Sequence, residues 1–443
     1  MGTSRAEARD AARRAPRFRG LVVLAVLLAQ RAAADEPDLQ WGQFQLRLDG
    51  YLRAGIGTSR DGTTQAAFIA PGARAKYRLG NEPETYFELG ADGRYRLGDV
   101  QRPDAPTIQG YFLTAGYAPM GRSFELGVND IAQAFFAFEN FLPGFGVWLG
   151  RRYYDRKDIH LNDYFWLNPG QGAHAGLGLE WRMSEGRQLR AALFRLEDPD
   201  APEGGVLNGT TLDVRFSGLR TNPGGVLTLW GQYALRHANA SPAYLERNGF
   251  GLGFWHDQEG VLGFDTVKNT VAVLYRKGAA LTQGATNARL VREDQDYDLV
   301  RARAWEVNNS LVLEPKAPWS LQWGLVLRWE DRGFGEDDTV RWFSTGVRPL
   351  YYVTDHVHVG FELGHDFVDN ALLDRRGGLT KVTALLQLAR GRGYFTRPVL
   401  RLFGTGAWWS RAFRGVVGTT PDGAPYGSGT WGWTVGSQVE AWW

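Results

Sequence analysis

Residues 433–443, WTVGSQVEAWW, alternate apolar and polar side chains down to a terminal aromatic. In a strand successive side chains point to opposite faces, so Trp433, Val435, Val439, Ala441 and Trp443 share one face while Gln438, Glu440 and Trp442 share the other. A tilted strand needs about 9 to 11 residues to cross a bilayer, and barrel strands set an apolar lipid face against a polar lumen face, with aromatics at the interfaces. A half-buried strand of a soluble sandwich alternates in the same way. The rest of the chain has to decide between them.

The pattern recurs outward from that end. In residues 44–56, Phe44, Leu46, Leu48, Leu52, Ala54 and Ile56 fall opposite Gln45, Arg47, Asp49, Tyr51 and Arg53. Residues 73–79 set Ala73, Ala75, Tyr77 and Leu79 against Arg74, Lys76 and Arg78, and the next run sets Thr85, Phe87, Leu89 and Ala91 against Glu84, Tyr86 and Glu88. Residues 347–363 and 398–403 read as further strands, with turns predicted at 331–338, 375–378 and 419–429. Helical periodicity is nearly absent, and no linker or composition shift divides the chain. One all-β domain over residues 35–443 is expected; a soluble sandwich of that length would exceed the usual domain size, whereas a barrel that encloses water has no such limit.

The amino terminus carries the pattern of a secretory signal. Arg5, Arg9, Arg13, Arg14, Arg17 and Arg19 precede the apolar run 21–29, and Ala32, Ala33 and Ala34 offer a small-residue cleavage site. Removal of residues 1–34 takes seven Arg and two acids from totals of 50 and 48, leaving 43 basic and 46 acidic residues, a net charge of −3. No basic surface for nucleic acid is expected after that. The absence of cysteine excludes disulfides, thiolate metal sites and cysteine nucleophiles. The mature sequence also lacks the roughly 20 consecutive apolar residues of a membrane helix.

Aromatic rings sit among the inward charges: Tyr51 beside Arg53, Tyr86 beside Glu88, Trp442 beside Glu440. Two readings fit. Such rings pad the wall, or they form a lane on which the apolar face of a sugar stacks while Arg, Asp and Glu meet its hydroxyls. A second cluster, GRRYYDRKDIHLNDYFW at 150–166, is too charged to cross lipid. It either folds inward as a constriction presenting Arg156, Asp158 and Asp163, or lies outside as a solvated loop. His356, His358 and His365 lie close in sequence without a clear third ligand, so no metal is expected, and no cofactor motif appears. Neither a Gly-x-Ser-x-Gly elbow nor a legible nucleophile–histidine pair supports catalysis, which leaves a barrel lipid hydrolase as the remote alternative from another class.

Several blocks, in order, resemble the maltoporin family, the maltodextrin channels of Gram-negative outer membranes: DGYLRAGIG at 49–57, GARAKYRLGNEPETY at 72–86, LPGFGVWLGRRYYDRKDIHLND at 142–163, NPGGVL at 222–227, GVRPL at 346–350, RPVLRLF at 397–403 and the closing WTVGSQVEAWW. The resemblance covers the mature chain. It implies a transmembrane antiparallel β-barrel of 18 strands with an inward constriction loop, a homotrimer in outer-membrane lipid, and passive diffusion of oligosaccharides along an aromatic slide. It places the slide aromatics at Tyr51, Tyr86, Phe395 and Trp442, and the polar track and constriction at Arg53, Arg78, Glu88, Arg156, Asp158, Asp163 and Phe165. Porins for sucrose or β-glucosides, and general diffusion porins, are the alternatives within transport.

The departures from that family are specific. Ala67 and Pro83 replace a cysteine pair of the first long loop, and the loop at 118–123 carries no aromatic where the family has a tryptophan at the slide entrance. Phe395 stands for a tryptophan and Phe165 for a tyrosine. Asn129 aligns with a track arginine, and Phe264 is the nearest match to an inner slide phenylalanine.

Overall fold

The computed structural model describes residues 38–60, 65–99, 102–119, 131–170, 173, 175–198, 207–238, 245–261, 264–283, 297–335, 338–418 and 426–443. The proposed signal segment, Asn129, most of the loop at 118–123 and most of the predicted turn at 419–429 lie outside these residues, as does the side chain of Phe264. In chain order the strands are β1 (Leu39–Trp41), β2 (Phe44–Ser59), β3 (Glu84–Arg96), β4 (Thr107–Pro119), β5 (Ile131–Glu139), β6 (Phe145–Arg151), β7 (Lys157–Ile159), β8 (Tyr164–Leu167), β9 (Ala175–Arg182), β10 (Gln188–Asp198) and β11 (Leu207–Asn222). They continue with β12 (Gly225–Arg236), β13 (Arg247–Val261), β14 (Phe264–Gly278), β15 (Arg303–Leu313), β16 (Trp319–Asp331), β17 (Thr339–Tyr352), β18 (Val357–Asn370), β19 (Arg375–Ala389), β20 (Val399–Trp409) and β21 (Trp431–Trp442).

Nineteen of these form one sheet. The three-residue β1 pairs only with β2, so eighteen strands make the closed antiparallel wall. Closure occurs where β21 pairs with β2, from Tyr51 opposite Trp442 to Ser59 opposite Thr434. A closed wall leaves no unpaired edge, which is what a strand structure needs inside lipid. Below the closure, β1 covers the part of β2 that β21 does not reach, with Leu39 opposite Leu46.

The alternation is inside-out. Outward positions such as Leu177 and Leu179, Leu252 and Phe254, and Leu400 and Leu402 are exposed, while the residues between their counterparts bury Asp213, Arg215, Glu306, Arg328, Glu362 and Lys381 within the barrel. Long connections gather at one end and short turns at the other, beside the chain termini. Barrels of this kind place short turns on the periplasmic side.

Two of the long connections fold back into the lumen. The first, 65–82, sends Phe68 against Trp409 and Tyr426, and Tyr77 into a slot between β17 and β18. Gly346 and Gly364 make that slot, since a Cβ at either position would collide with the Tyr77 ring. The second, 152–170, contains the β7–β8 hairpin and reaches Trp255, Arg276 and Trp342 on the far wall. Ile159 and Leu161 are fully buried, Ile159 against Gly324 of β16.

Three local expectations are corrected. Residues 347–363 are not one strand: β17 ends at Tyr352, the chain reverses at 353–356, where the Thr354 N–H donates to Val357 O, and β18 begins at Val357. Residues 73–77 alternate in burial as the sequence suggests, while Tyr77, Arg78 and Leu79 are all buried, and the segment forms no strand: it lies inside the barrel and its side chains reach the wall, while its backbone joins no ladder. Residues 375–378 are the start of β19 and not a turn, because Gly377 and Gly378 pack against Ser410 and His365; the reversal is at Ala371–Asp374.

Candidate functional site

Trp442 and Tyr51 are directly opposite on β21 and β2, and their rings stack at 6.4 Å with 19° between planes. Tyr51 is in turn opposite Glu88 of β3, which puts Tyr86 on the diagonal, 5.9 Å away ring to ring. Beyond Trp442 the run continues through His160 of the second inward connection, edge-on at 6.2 Å, and from His160 to Phe395 at 5.3 Å. Phe395 belongs to the turn between β19 and β20 and is 39% exposed. It opens on a cavity of about 760 Å³ shared with Glu314, Lys316, Trp319 and Arg392, at the short-turn end. Five rings thus make one continuous row from mid-barrel to that vestibule, all incompletely buried.

Behind the row lies a knot of charge centred on Glu440. Arg397 donates to it at 2.7 and 2.9 Å, Arg401 at 2.8 Å and Arg78 at 3.1 Å, and the Tyr51 hydroxyl donates to it at 3.0 Å. Arg78 also donates to Tyr51 at 2.9 Å and to Glu82 at 2.7 Å, while Arg53 pairs with both Glu82 and Glu84. Burial alone would raise the Glu82 carboxyl, but the guanidiniums of Arg53 and then Arg78 outweigh it and hold it at about 2. Arg397 lies 4.1 Å over the Trp442 ring, a cation–π contact that fixes the indole plane. Arg53 and Arg78 are only 8% and 6% exposed. Their terminal guanidinium nitrogens are engaged with Glu, Tyr51 and, for Arg78, His160, so their first effect is to hold the row in place.

On the second inward connection, Arg156 sits 4.0 Å over Tyr153 and 5.2 Å over Phe165. Tyr86 donates to Glu88 at 2.6 Å, and the Tyr153 hydroxyl is 3.5 Å from the same carboxylate, which ties the constriction to the row. Asp158 and Asp163 expose their side chains to the lumen. Although its side chain is exposed, Asp158 is closely surrounded by protein, and this desolvation, followed by the Asp163 charge, raises its carboxyl above the ordinary value. His160 is held well below the usual imidazole value by burial and then by Arg78, so it meets the row as a neutral ring.

The sequence-derived residues therefore separate into three layers. Tyr51, Tyr86, Trp442 and Phe395 come together as rings, Arg53 and Arg78 stand behind them, and Glu88, Arg156, Asp158, Asp163 and Phe165 face them or adjoin them. Sequence reading missed His160, Tyr153, Glu82 and Arg397. A signal for His160 existed: Asp158 and His160 alternate with the buried Ile159 and Leu161. The histidines at 356, 358 and 365 are engaged separately, with Ala389 O, with Gln387 and Asp355 O, and with Thr380. Among the described residues no group of three or more His, Asp or Glu is arranged to hold a metal.

Residues 46–443 match the family model described as LamB porin. This chain belongs to the LamB porin family. The barrel is therefore an outer-membrane porin, and for a LamB porin the lumen just described is the transport path. Solved structures similar to it include the outer-membrane-expressed OmpT of Vibrio cholerae, at 9% identity over 91% of this chain and 99% of that chain with a TM-score of 0.40. The outer membrane channel DcaP of Acinetobacter baumannii is 10% identical over 91% and 99%, TM-score 0.44. An anion-selective porin from Comamonas acidovorans is 10% identical over 90% and 99%, TM-score 0.43.

Proposed function

We propose that this LamB porin conducts maltose and maltodextrin-type oligosaccharides by passive diffusion in the outer membrane of a Gram-negative bacterium, without covalent chemistry. The observation that carries the reading is the unbroken row Tyr86, Tyr51, Trp442, His160, Phe395, with ring separations of 5.3 to 6.4 Å. A chain of pyranose rings presents successive apolar faces, so stacking is regained at each step and no single position traps the sugar. Glu88, Asp158, Asp163 and Arg156 are placed to exchange hydrogen bonds with the hydroxyls on the other side. Conduction requires binding that is weak and repeated.

Current block in planar bilayers by a maltodextrin series tests this. Block at millimolar sugar is expected, deepening with chain length, and Trp442→Ala is expected to weaken it by about tenfold, the equivalent of one well-placed ring, with ion conductance retained. Block by sucrose or a β-glucoside in preference to maltodextrins would move the assignment to another sugar, and no block by any sugar would make the pore a general one.

The mature chain is proposed to begin at Asp35 and to assemble as a homotrimer. Support for the trimer comes from outward positions near the closure that hold glycine, Gly93, Gly110, Gly404 and Gly406, where the lipid-facing wall elsewhere carries large apolar side chains. A species of three times the chain mass on unheated gels, beginning at Asp35, is the expected result; a monomer or an intact leader would refute the corresponding point.

A further inference from the structure

Tyr117 lies two residues from the upper end of β4, and its directly opposite partner on β3 is Tyr86. Directly opposite residues of an antiparallel pair project to the same face, with Cβ atoms about 5 Å apart. Tyr86 points into the lumen toward Glu88, so Tyr117 points there as well. The rest of β4 agrees: Tyr111 reaches inward to Asp49, while Phe112 is outward and exposed. An interface-belt tyrosine would face lipid, and this one does not. At 58% exposure it leaves more of its surface bare than Phe395 does.

Its place continues a progression. Trp442 stands on β21, Tyr51 on β2 and Tyr86 on β3, one ring per neighbouring strand, climbing away from the short-turn end. The next strand in the wall is β4. We propose that Tyr117 is the outermost stacking platform of the row and receives the leading pyranose ring of an oligosaccharide before that ring reaches Tyr86. Glu84, buried and ion-paired with Arg53, is the diagonal neighbour of Tyr117 on the same face and backs it with charge. The mouth of this pore thus takes its ring from its own barrel wall, which suits a chain whose segment 118–123 carries no aromatic.

The proposal rests on the sugar-conducting reading, and its test keeps the two apart. In planar bilayers with the full-length exported protein, the kinetics of maltohexaose block are compared among the unaltered protein, Tyr117→Ala, Tyr117→Phe and Phe112→Ala. Tyr117→Ala is expected to lower the maltohexaose affinity about threefold to tenfold, mainly through slower association, with a smaller effect on maltose and the same ion conductance. Tyr117→Phe keeps the ring and is expected to behave as the unaltered protein, as is the outward Phe112→Ala. Should the alanine variant fail to insert, Tyr117→Leu preserves bulk without the ring and is expected to show the same loss. Unchanged kinetics in a conducting ring-deleted variant would overturn this proposal alone. Absence of block in the unaltered protein would overturn the sugar reading, and this proposal with it.

Discussion

The wall from β12 to β20 and the wall from β21 through β2 to β4 are built from the same alternating strands, yet their inner faces meet different things. The first meets protein. Phe68, Tyr77, Ile159, Leu161, Tyr164 and Trp166 from the two inward connections pack against Trp230, Trp255, Val326, Trp342, Val368 and Trp409, so that half of the lumen holds an apolar core. The second meets open lumen, and there the rings stay partly bare with the charge knot behind them. In the filled half aromatics are immobilised by burial; in the open half they are immobilised from one side by Arg397, Arg78 and the Glu440 carboxylate. Ion pairs occur in both halves, as at Glu306 with Arg328 and Glu362 with Lys381 in the first; in the second they orient side chains whose other face is free.

The largest effect is expected where that orientation is removed. Glu440→Gln leaves Arg78, Arg397 and Arg401 buried without their shared counter-charge, and breaking a buried pair of this kind costs about 3–5 kcal/mol. A marked loss of resistance to heat or guanidinium is expected, together with weaker sugar block, because Tyr51 and Trp442 lose their supports. Stability equal to the unaltered protein would mean that the knot is dispensable and the contrast between the halves is wrong.

Ile159→Ala strikes the other half. The side chain is fully buried against Gly324, and its truncation is expected to cost about 2–3 kcal/mol. Loosening of the β7–β8 hairpin should widen the constriction, so single-channel ion conductance is expected to rise. Maltodextrin affinity should change less than with Trp442→Ala, since most of the row does not touch this residue. If Ile159→Ala weakens sugar binding as much as loss of Trp442 does, the two halves act as one unit.

These distinctions explain how much of the molecule was legible in sequence. The alternation in β2, β3 and β21 is dictated by lipid on one side and polar lumen on the other, so Tyr51, Tyr86, Trp442 and their charged neighbours could be placed on one face by counting residues. Residues 73–79 carry the same period for a different reason, an extended segment pressed inside the barrel, and periodicity alone does not separate the two. The part played by His160 depends on a connection folding back across the lumen, and that of Arg397 on a turn folding inward; neither is encoded locally. Tyr117 was hidden because β4 is interrupted by small residues at Ala115, Gly116 and Ala118, which blur its alternation.

The smallest effect is expected at Asp158, which faces the open half from the tip of the filled one. Desolvation and then the nearby Asp163 charge raise its carboxyl above the ordinary value of 3.8. Its proton therefore returns earlier than that of a free carboxylate as pH falls, and the pore loses one negative charge before a free carboxylate would be neutralised. For stability the sign is the reverse of that at a salt-bridged acid: the folded state binds this proton more tightly than the unfolded chain, so the contribution is favourable below the unfolded value and is lost as pH rises through the folded one. Asp158→Asn should remove both consequences, giving slightly greater stability at neutral pH and a reversal potential in a salt gradient that shifts less toward anions as pH falls from neutral toward the ordinary carboxylate value. A reversal potential that moves with pH identically in the variant and the unaltered protein would show that another carboxylate governs the charge of the constriction.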